Sequence, residues 1–105
     1  LILGLAYKAD VDDDRESPSY RLMEILEEFG ARVSYNDPYV PVIKTKRNFS
    51  RFEGKRSVEI TSDVDLILIA TAHGIYRSIN FASFCVPVVD TRHVVETLFP
   101  LLYRA

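Results

Sequence analysis

Leu1-Ile2-Leu3-Gly4-Leu5-Ala6-Tyr7-Lys8 opens the chain, and an acidic run carries it on to Pro18. The apolar run from Leu1 to Ala6 shows no alternation, so it predicts a strand buried on both faces. It stops abruptly at Tyr7-Lys8. A charged loop spans Ala9 to Glu16, and Ser17-Pro18 then reads as a helix start, with Ser at the N-cap and Pro at the first helical position. Strand, charged loop and helix N-terminus form a ligand-facing edge in an open α/β sheet. Gly4 removes a side chain where something packs closely.

Behind the helix start, Leu22, Ile25, Leu26 and Phe29 follow i, i+3, i+4, i+7 spacing, which predicts an amphipathic helix. Tyr20 and Met23 widen its apolar face, while Arg21, Glu24, Glu27 and Glu28 face water. Gly30 is the natural stop. Ala31 to Asn36 predicts the second strand, ended by Asp37-Pro38. The opening thus reads as a βαβ unit. Tyr39 to Arg56 is a basic loop with room for a short helical piece. Ser57 to Ile60 is a weak strand, and Thr61-Ser62-Asp63 a turn or very short helix. Asp65 to Thr71 is another fully buried strand. Tyr76 to Phe84 is a short helix or irregular connector, with Ile79, Phe81 and Phe84 packing inward. Val86 to Asp90 is the last clear strand, and Val94 to Ala105 is a tail without assigned structure, with room for a helix up to Phe99 broken by Pro100. The resulting expectation is a three-layer α/β/α, Rossmann-like domain with a mainly parallel sheet.

With 105 residues, 48% hydrophobic and 27% charged, the chain is one domain of ordinary globular composition. A net charge of −2 gives no global argument for nucleic acid. The charge is uneven, however. Asp10, Asp12, Asp13, Asp14 and Glu16 stand against Arg15, whereas Lys44, Lys46, Arg47, Arg51, Lys55 and Arg56 stand against Glu53. The basic stretch is a solvated loop or, second, a phosphate- or partner-binding surface. A single cysteine, Cys85, excludes an internal disulfide framework and a cysteine-rich zinc site, which fits a reducing cytosol. No apolar run approaches the ~20 residues of a membrane span, so a membrane is not an expected partner, and the charge balance makes nucleic acid none either. The chain opens on Leu inside a strand-like run, which reads as part of a longer protein.

The buried strands end in polar clusters at Tyr7-Lys8, Thr71-Ala72-His73 and Asp90-Thr91-Arg92. Parallel strands bring these ends to one edge. Lys8 and Arg92 there suggest an anionic ligand, Lys as a point charge and Arg as a bidentate fork. The alternative is that both are loop residues paired with nearby carboxylates. Asp10, Asp12 and Asp14 begin a calcium-loop spacing, but Arg15 stands where that loop needs Gly and Arg21 where it needs Glu, so no metal is expected. No G-x-G-x-x-G fingerprint follows Gly4, and Asp37 reads as a turn residue more than as a ribose-binding acid. His73 reads as a hydrogen-bonded structural histidine, with a general base or ligand contact as the lesser option. Cys85 reads as an inert core thiol.

G-L-A-Y-K at 4–8, D-D-D-R-E-S-P at 12–18, N-D-P-Y-V-P at 36–41, A-T-A-H at 70–73 and V-V-D-T-R at 88–92 occur in the order of the C-terminal domain of the UDP-glucose/GDP-mannose dehydrogenases. The chain resembles that family over nearly its whole length, 1–105. Its Val42–Ser57 loop is most similar to the UDP-N-acetylglucosamine and UDP-N-acetylmannosamine dehydrogenase branch. The resemblance implies an NAD-dependent oxidation of the C6 hydroxyl of a UDP-sugar to a carboxylate, in the cytoplasm, serving surface-polysaccharide precursors. It implies that NAD is bound mainly by an N-terminal domain outside this chain. The catalytic cysteine would lie in a central helical region, also outside it, so the chain contributes no catalytic residue and alone is inactive. Tyr7, Lys8 and Arg92 would contact the UDP-sugar, and Arg15 would reach the NAD side of the interdomain cleft. The partners implied are the UDP-sugar, the rest of the parent dehydrogenase and further copies in a homo-oligomer. The chain departs from the family pattern at Ala72 (usually Asp) and His93 (usually Asn), and its Thr61–Asp65 connection is about one helical turn short. Two readings of other classes stand beside this one. One is a non-catalytic flavodoxin-like binding module. The other is an interdomain or oligomerisation domain with Tyr39, Phe49 and Phe52 as contacts.

Overall fold

Ile2 and Leu3 are neighbours in sequence but enter different cores, as side chains of a strand must. In the computed structural model, which describes residues 1–44 and 48–105, they form β1 (Ile2–Leu3). β2 (Tyr35–Asn36), β3 (Ile67–Ile69), β4 (Val88–Asp90) and β5 (Leu102–Arg104) complete one sheet. Its order is β2-β1-β3-β4-β5, and every adjacent pair is parallel. The strands are shorter than the apolar runs that contain them. Leu5 and Ala6 are buried past the end of β1, so burial outlasts ladder pairing.

α1 (Pro18–Glu28) connects β1 to β2. The Ser17 side chain accepts the Ser19 N–H, and Pro18 takes the first helical position, as the sequence implies. At the other end the Gly30 N–H donates to Glu27 and the Ala31 N–H to Leu26. With Gly30 at φ +93°, this is a Schellman stop. The face α1 buries differs from the one expected. Ser19, Tyr20 and Met23 point into the core, Leu22 and Leu26 are partly covered, and Phe29 is 86% exposed. The helix has more apolar positions than one face can bury, and its aromatic and sulfur side chains win the core.

Tyr20 and Met23 pack with Ile2, Leu5, Tyr35, Ile43 and Phe52 on one side of the sheet. Leu3, Ile67, Ile69 and Val88 pack with Tyr76, Phe81 and Val94 on the other. The layer on this second side consists of 3₁₀ turns at Gly74–Ser78 and Phe81–Phe84, rather than an α-helix, followed by extended chain. Phe81 is buried and Ile79 and Phe84 pack against its core, as expected.

Several other expectations need correction. Val94 to Phe99 is not helical. The Val94 and Val95 N–H groups donate instead to the Asp90 carboxylate, and His93 before them sits at φ +55°. Pro100 occupies a turn closed by the Leu102 N–H and the Phe99 carbonyl at 3.0 Å, and this turn feeds the unexpected strand β5. Ser57 to Ile60 is not a strand, although the Val58 N–H donates to Tyr35 beside β2. Within the 39–56 loop, Ser50–Phe52 is a 3₁₀ turn and Phe52 is core. Arg51 is bound to Glu27 of α1 and sits over the Phe52 ring, so this part of the basic stretch is anchored. Lys46 and Arg47 lie outside the described residues. Cys85 is not a core thiol: it is exposed and caps the Phe81–Phe84 turn at φ +55°.

Candidate ligand-binding edge

All strands being parallel, their carboxyl ends share one edge, and each end carries a polar group. β1 leads to Tyr7-Lys8, β2 to Asp37, β3 to Thr71 and His73, and β4 to Asp90 and Arg92. Tyr7 is 57% exposed, and Lys8 and Arg92 are also exposed. β1 and β4 are separated only by β3, so their ends lie roughly 10 Å apart, two strand spacings.

The alternative of local charge pairing does not hold for the two cations. Among the described residues, neither Lys8 nor Arg92 is within ion-pair distance of a carboxylate. Arg92 is instead held by a carbonyl at the next strand end and by the carboxylate of Asp90. Its Nε donates to the Ala70 carbonyl at the end of β3 (3.1 Å), and its N–H donates to Asp90 Oδ1 (3.1 Å). Arg15 is paired, with Asp13 at 3.0 Å. It lines a shallow cavity of about 430 Å³ together with Tyr7, Asp13 and Glu16. A second, open cleft of about 650 Å³ runs between Asp12–Arg15 and Tyr39–Val42, with Lys44 at its margin. The structure therefore brings Tyr7 and Arg15 together. Lys8 and Arg92 line neither cavity.

Two buried carboxylates organise the edge from below. Asp90 accepts the N–H groups of Arg92, Val94 and Val95 and the Nη1 of Arg104 at 3.0 Å. Burial alone would raise its carboxyl. Those amides and the Arg104 charge outweigh burial and hold it below the ordinary carboxylate value. Asp37 accepts the Leu5 N–H (2.7 Å), the Ala6 N–H (2.8 Å), the Tyr39 N–H (2.8 Å) and His73 Nε2 (2.9 Å). Burial again pushes upward, and the hydrogen bonds, His73 first, bring the net shift down. Asp37 is thus more than a turn residue, because it fastens the ends of β1, β2 and β3 together. His73 is hydrogen-bonded and wholly buried, packed between the rings of Tyr39 and Tyr76. The Tyr35 hydroxyl donates to the Val40 carbonyl, and burial pushes it up to about 12.

Of the three residues named for interdomain packing, Phe52 is buried and Phe49 half-buried, while Tyr39 remains exposed. Phe52 lies in the first core and Phe49 packs against it, both rings stacked with Tyr20 at centroid distances of 6.5 and 5.7 Å, and the Tyr39 ring is tilted against His73 at 4.7 Å. None of this needed a rare motif. Buried Asp37 and His73 had no distinguishing sequence signal beyond their places after strands, since their partners are distant in the chain.

The edge also tests a dinucleotide. Gly4, at φ +103°, meets Thr71 rather than leaving space for a pyrophosphate: a Cβ there would lie 2.2 Å from the Thr71 Cβ. The β1–α1 connection is a long charged loop, and the helix N-cap is filled by the Ser17 side chain. The residues of this chain do not by themselves fit a resident NAD.

Known proteins point the same way as the strand-end motifs. The UDP-glucose/GDP-mannose dehydrogenase family, UDP binding domain, matches residues 1–97. A UDP-N-acetyl-D-mannosamine dehydrogenase from Methanococcus maripaludis is 33% identical over 105 residues, covering 90% of this chain and 22% of its own length. Its counterpart from Pyrococcus horikoshii is 30% identical over 100 residues, with the same two coverages. The solved structure of a UDP-D-ManNAc dehydrogenase from P. horikoshii superposes with a TM-score of 0.74 at 27% identity, covering 98% of this chain and 24% of that one. A GDP-mannose dehydrogenase at 22% identity shares the fold with a TM-score of 0.71, covering 98% of this chain and 27% of its own. The chain spans about a fifth of the length of the relatives it matches. By sequence, by fold and by the residues at its strand ends, the chain belongs to the UDP-glucose/GDP-mannose dehydrogenase family, as its UDP binding domain.

Proposed function

We propose that this chain, residues 1–105, serves as the C-terminal domain of an NAD-dependent nucleotide-sugar 6-dehydrogenase. It holds the UDP end of the substrate while C6 is oxidised elsewhere. The observation that carries the reading is the pair of exposed cations, Lys8 and Arg92, without carboxylate partners among the described residues, on the carboxyl edge of a parallel sheet. Lys8 supplies a mobile point charge for a diphosphate oxygen. Arg92, held at Nε by Ala70, keeps its outer N–H groups for a second oxygen. Tyr7 offers an exposed ring and hydroxyl beside them. Binding energy spent on this remote handle positions the sugar for chemistry at C6.

NAD, in this reading, is bound by the remainder of the parent enzyme, which also supplies the nucleophile. Arg15 is this chain's contact towards it. The UDP-N-acetyl-D-mannosamine relatives favour an N-acetylated UDP-sugar as substrate. A cytoplasmic, homo-oligomeric enzyme fits the single exposed thiol and the exposed apolar side chains Phe29 and Tyr103. Among the described residues no helix is long and apolar enough to cross a membrane. The test is Lys8→Ala in the intact enzyme. The substrate KM should rise with kcat little changed, whereas unchanged KM and kcat would remove Lys8 from the site.

A further inference from the structure

We propose that His73 is a positioning residue for UDP, acting through the backbone of the loop that carries Tyr7 and Lys8. This rests on the reading of that loop as a UDP contact. The His73 ring is 0% exposed and bridges two groups. Its Nδ1 accepts the Asp10 N–H at 2.8 Å, so Nδ1 carries no proton. Nε2 therefore carries it and donates to Asp37 Oδ2 at 2.9 Å. The same Oδ2 takes the N–H groups of Leu5 and Ala6, the residues immediately before Tyr7. One carboxylate thus holds the root of the loop directly and its far side through the imidazole.

Asp10 completes the clamp. Its Oδ1 accepts the Gly74 N–H at 2.7 Å, so the loop and the His73-Gly74 corner exchange two hydrogen bonds. Asp10 sits at φ +61°, a conformation that residues with side chains seldom adopt and that these two bonds sustain. A third tie, from the Tyr7 N–H to the Asp13 carbonyl, closes the loop on itself. Tyr7 and Lys8 are bracketed by Asp37 on one side and by His73 on the other. A loop released from His73 would present them in the binding geometry only part of the time, and the apparent affinity falls by that fraction.

Two amide substitutions separate the two bonds of the ring. In His73→Asn the side-chain oxygen lies near the place of Nδ1 and keeps an acceptor for Asp10, but it does not reach Asp37. In His73→Gln the longer amide keeps a donor to Asp37 and loses the acceptor for Asp10. UDP is titrated into the 105-residue chain and both variants, with amide resonances as readout and urea midpoints measured alongside. The proposal expects His73→Gln to be the more stable variant yet to bind UDP about tenfold more weakly, with His73→Asn near wild type. Affinities that follow the stability order instead would overturn it and leave His73 merely structural. Equal affinities in all three proteins would overturn it while the UDP reading stands. No response of the wild-type chain to UDP would remove both. The wild type alone gives a further decision: long-range ¹H–¹⁵N spectra should show a protonated Nε2 and a bare Nδ1, with a protected Asp10 amide. The opposite tautomer or a freely exchanging Asp10 amide contradicts the clamp.

Discussion

Gly4 and Thr71 touch so closely that a Cβ on Gly4 would lie 2.2 Å from the Thr71 Cβ and 2.4 Å from its Oγ1. The two belong to neighbouring strand ends, and the Thr71 hydroxyl donates to the Ala6 carbonyl across the same gap. Gly4 also needs φ +103°. Gly4→Ala therefore meets both backbone strain and overlap, and should cost about 2–4 kcal/mol in urea unfolding. A cost within error of zero would mean that the strand ends are not packed as described.

Acid should unfold the chain through Asp37 and Asp90. Both carboxyls are held below their ordinary 3.8 in the folded state. The unfolded chain takes up these protons first, so the stability they confer is complete above about pH 4. It is lost as pH falls through their folded values. Asp90→Asn should flatten the acid limb of a stability–pH curve. An acid limb as steep as that of wild type would contradict the depressed carboxyl.

Arg104 ties β5 to the sheet through the buried Asp90 and also donates to the Val95 carbonyl. Arg104→Met keeps much of the stem packing and removes the charged bonds. It should destabilise the chain by about 1.5–3 kcal/mol, with hydrogen exchange quickening first at Leu102–Arg104. Uniform loosening of the whole sheet would argue against this local tie.

Asp37→Asn keeps an oxygen for Leu5, Ala6 and His73 Nε2, which share Oδ2, but turns an NH₂ in place of Oδ1 towards the Tyr39 N–H, which itself donates. The loss should be roughly 3 kcal/mol, larger than for any exposed acid of the Asp12–Asp14 run. Thermal or urea unfolding of the variant beside Asp12→Asn checks the ranking.

The sheet was legible because Leu1–Ala6, Leu66–Ala70 and Val86–Val89 are apolar without alternation, although two-sided burial holds only around β1. Contrary to the expected full burial of Asp65 to Thr71, Leu66 is exposed, and Leu68 and Val89 are half-buried. Ser17-Pro18 and Gly30 marked α1 because caps are local chemistry. The Asp37 network was not legible in the same way: its partners Leu5, Ala6 and His73 are 32, 31 and 36 residues away. β5 was hidden because its few residues follow a proline and pair only through the parallel ladder with β4. The rotated face of α1 was hidden for another reason, since spacing counts apolar positions but does not rank Tyr20 and Met23 above Ile25 and Phe29. Of the proposed site, the cations Lys8 and Arg92 were readable from strand ends. What aims them, Ala70 for Arg92 and the Asp10–His73 pair for the loop bearing Lys8, emerged only in three dimensions.

The central claim is that the carboxyl edge between β1 and β4 binds UDP. Titration of the 105-residue chain with UDP, followed through its amide resonances, tests it most directly. The account predicts saturable shifts concentrated at Tyr7, Lys8 and Arg92, abolished together by Lys8→Ala with Arg92→Ala. Resonances unmoved at millimolar UDP, or shifts centred on a different surface, would contradict it.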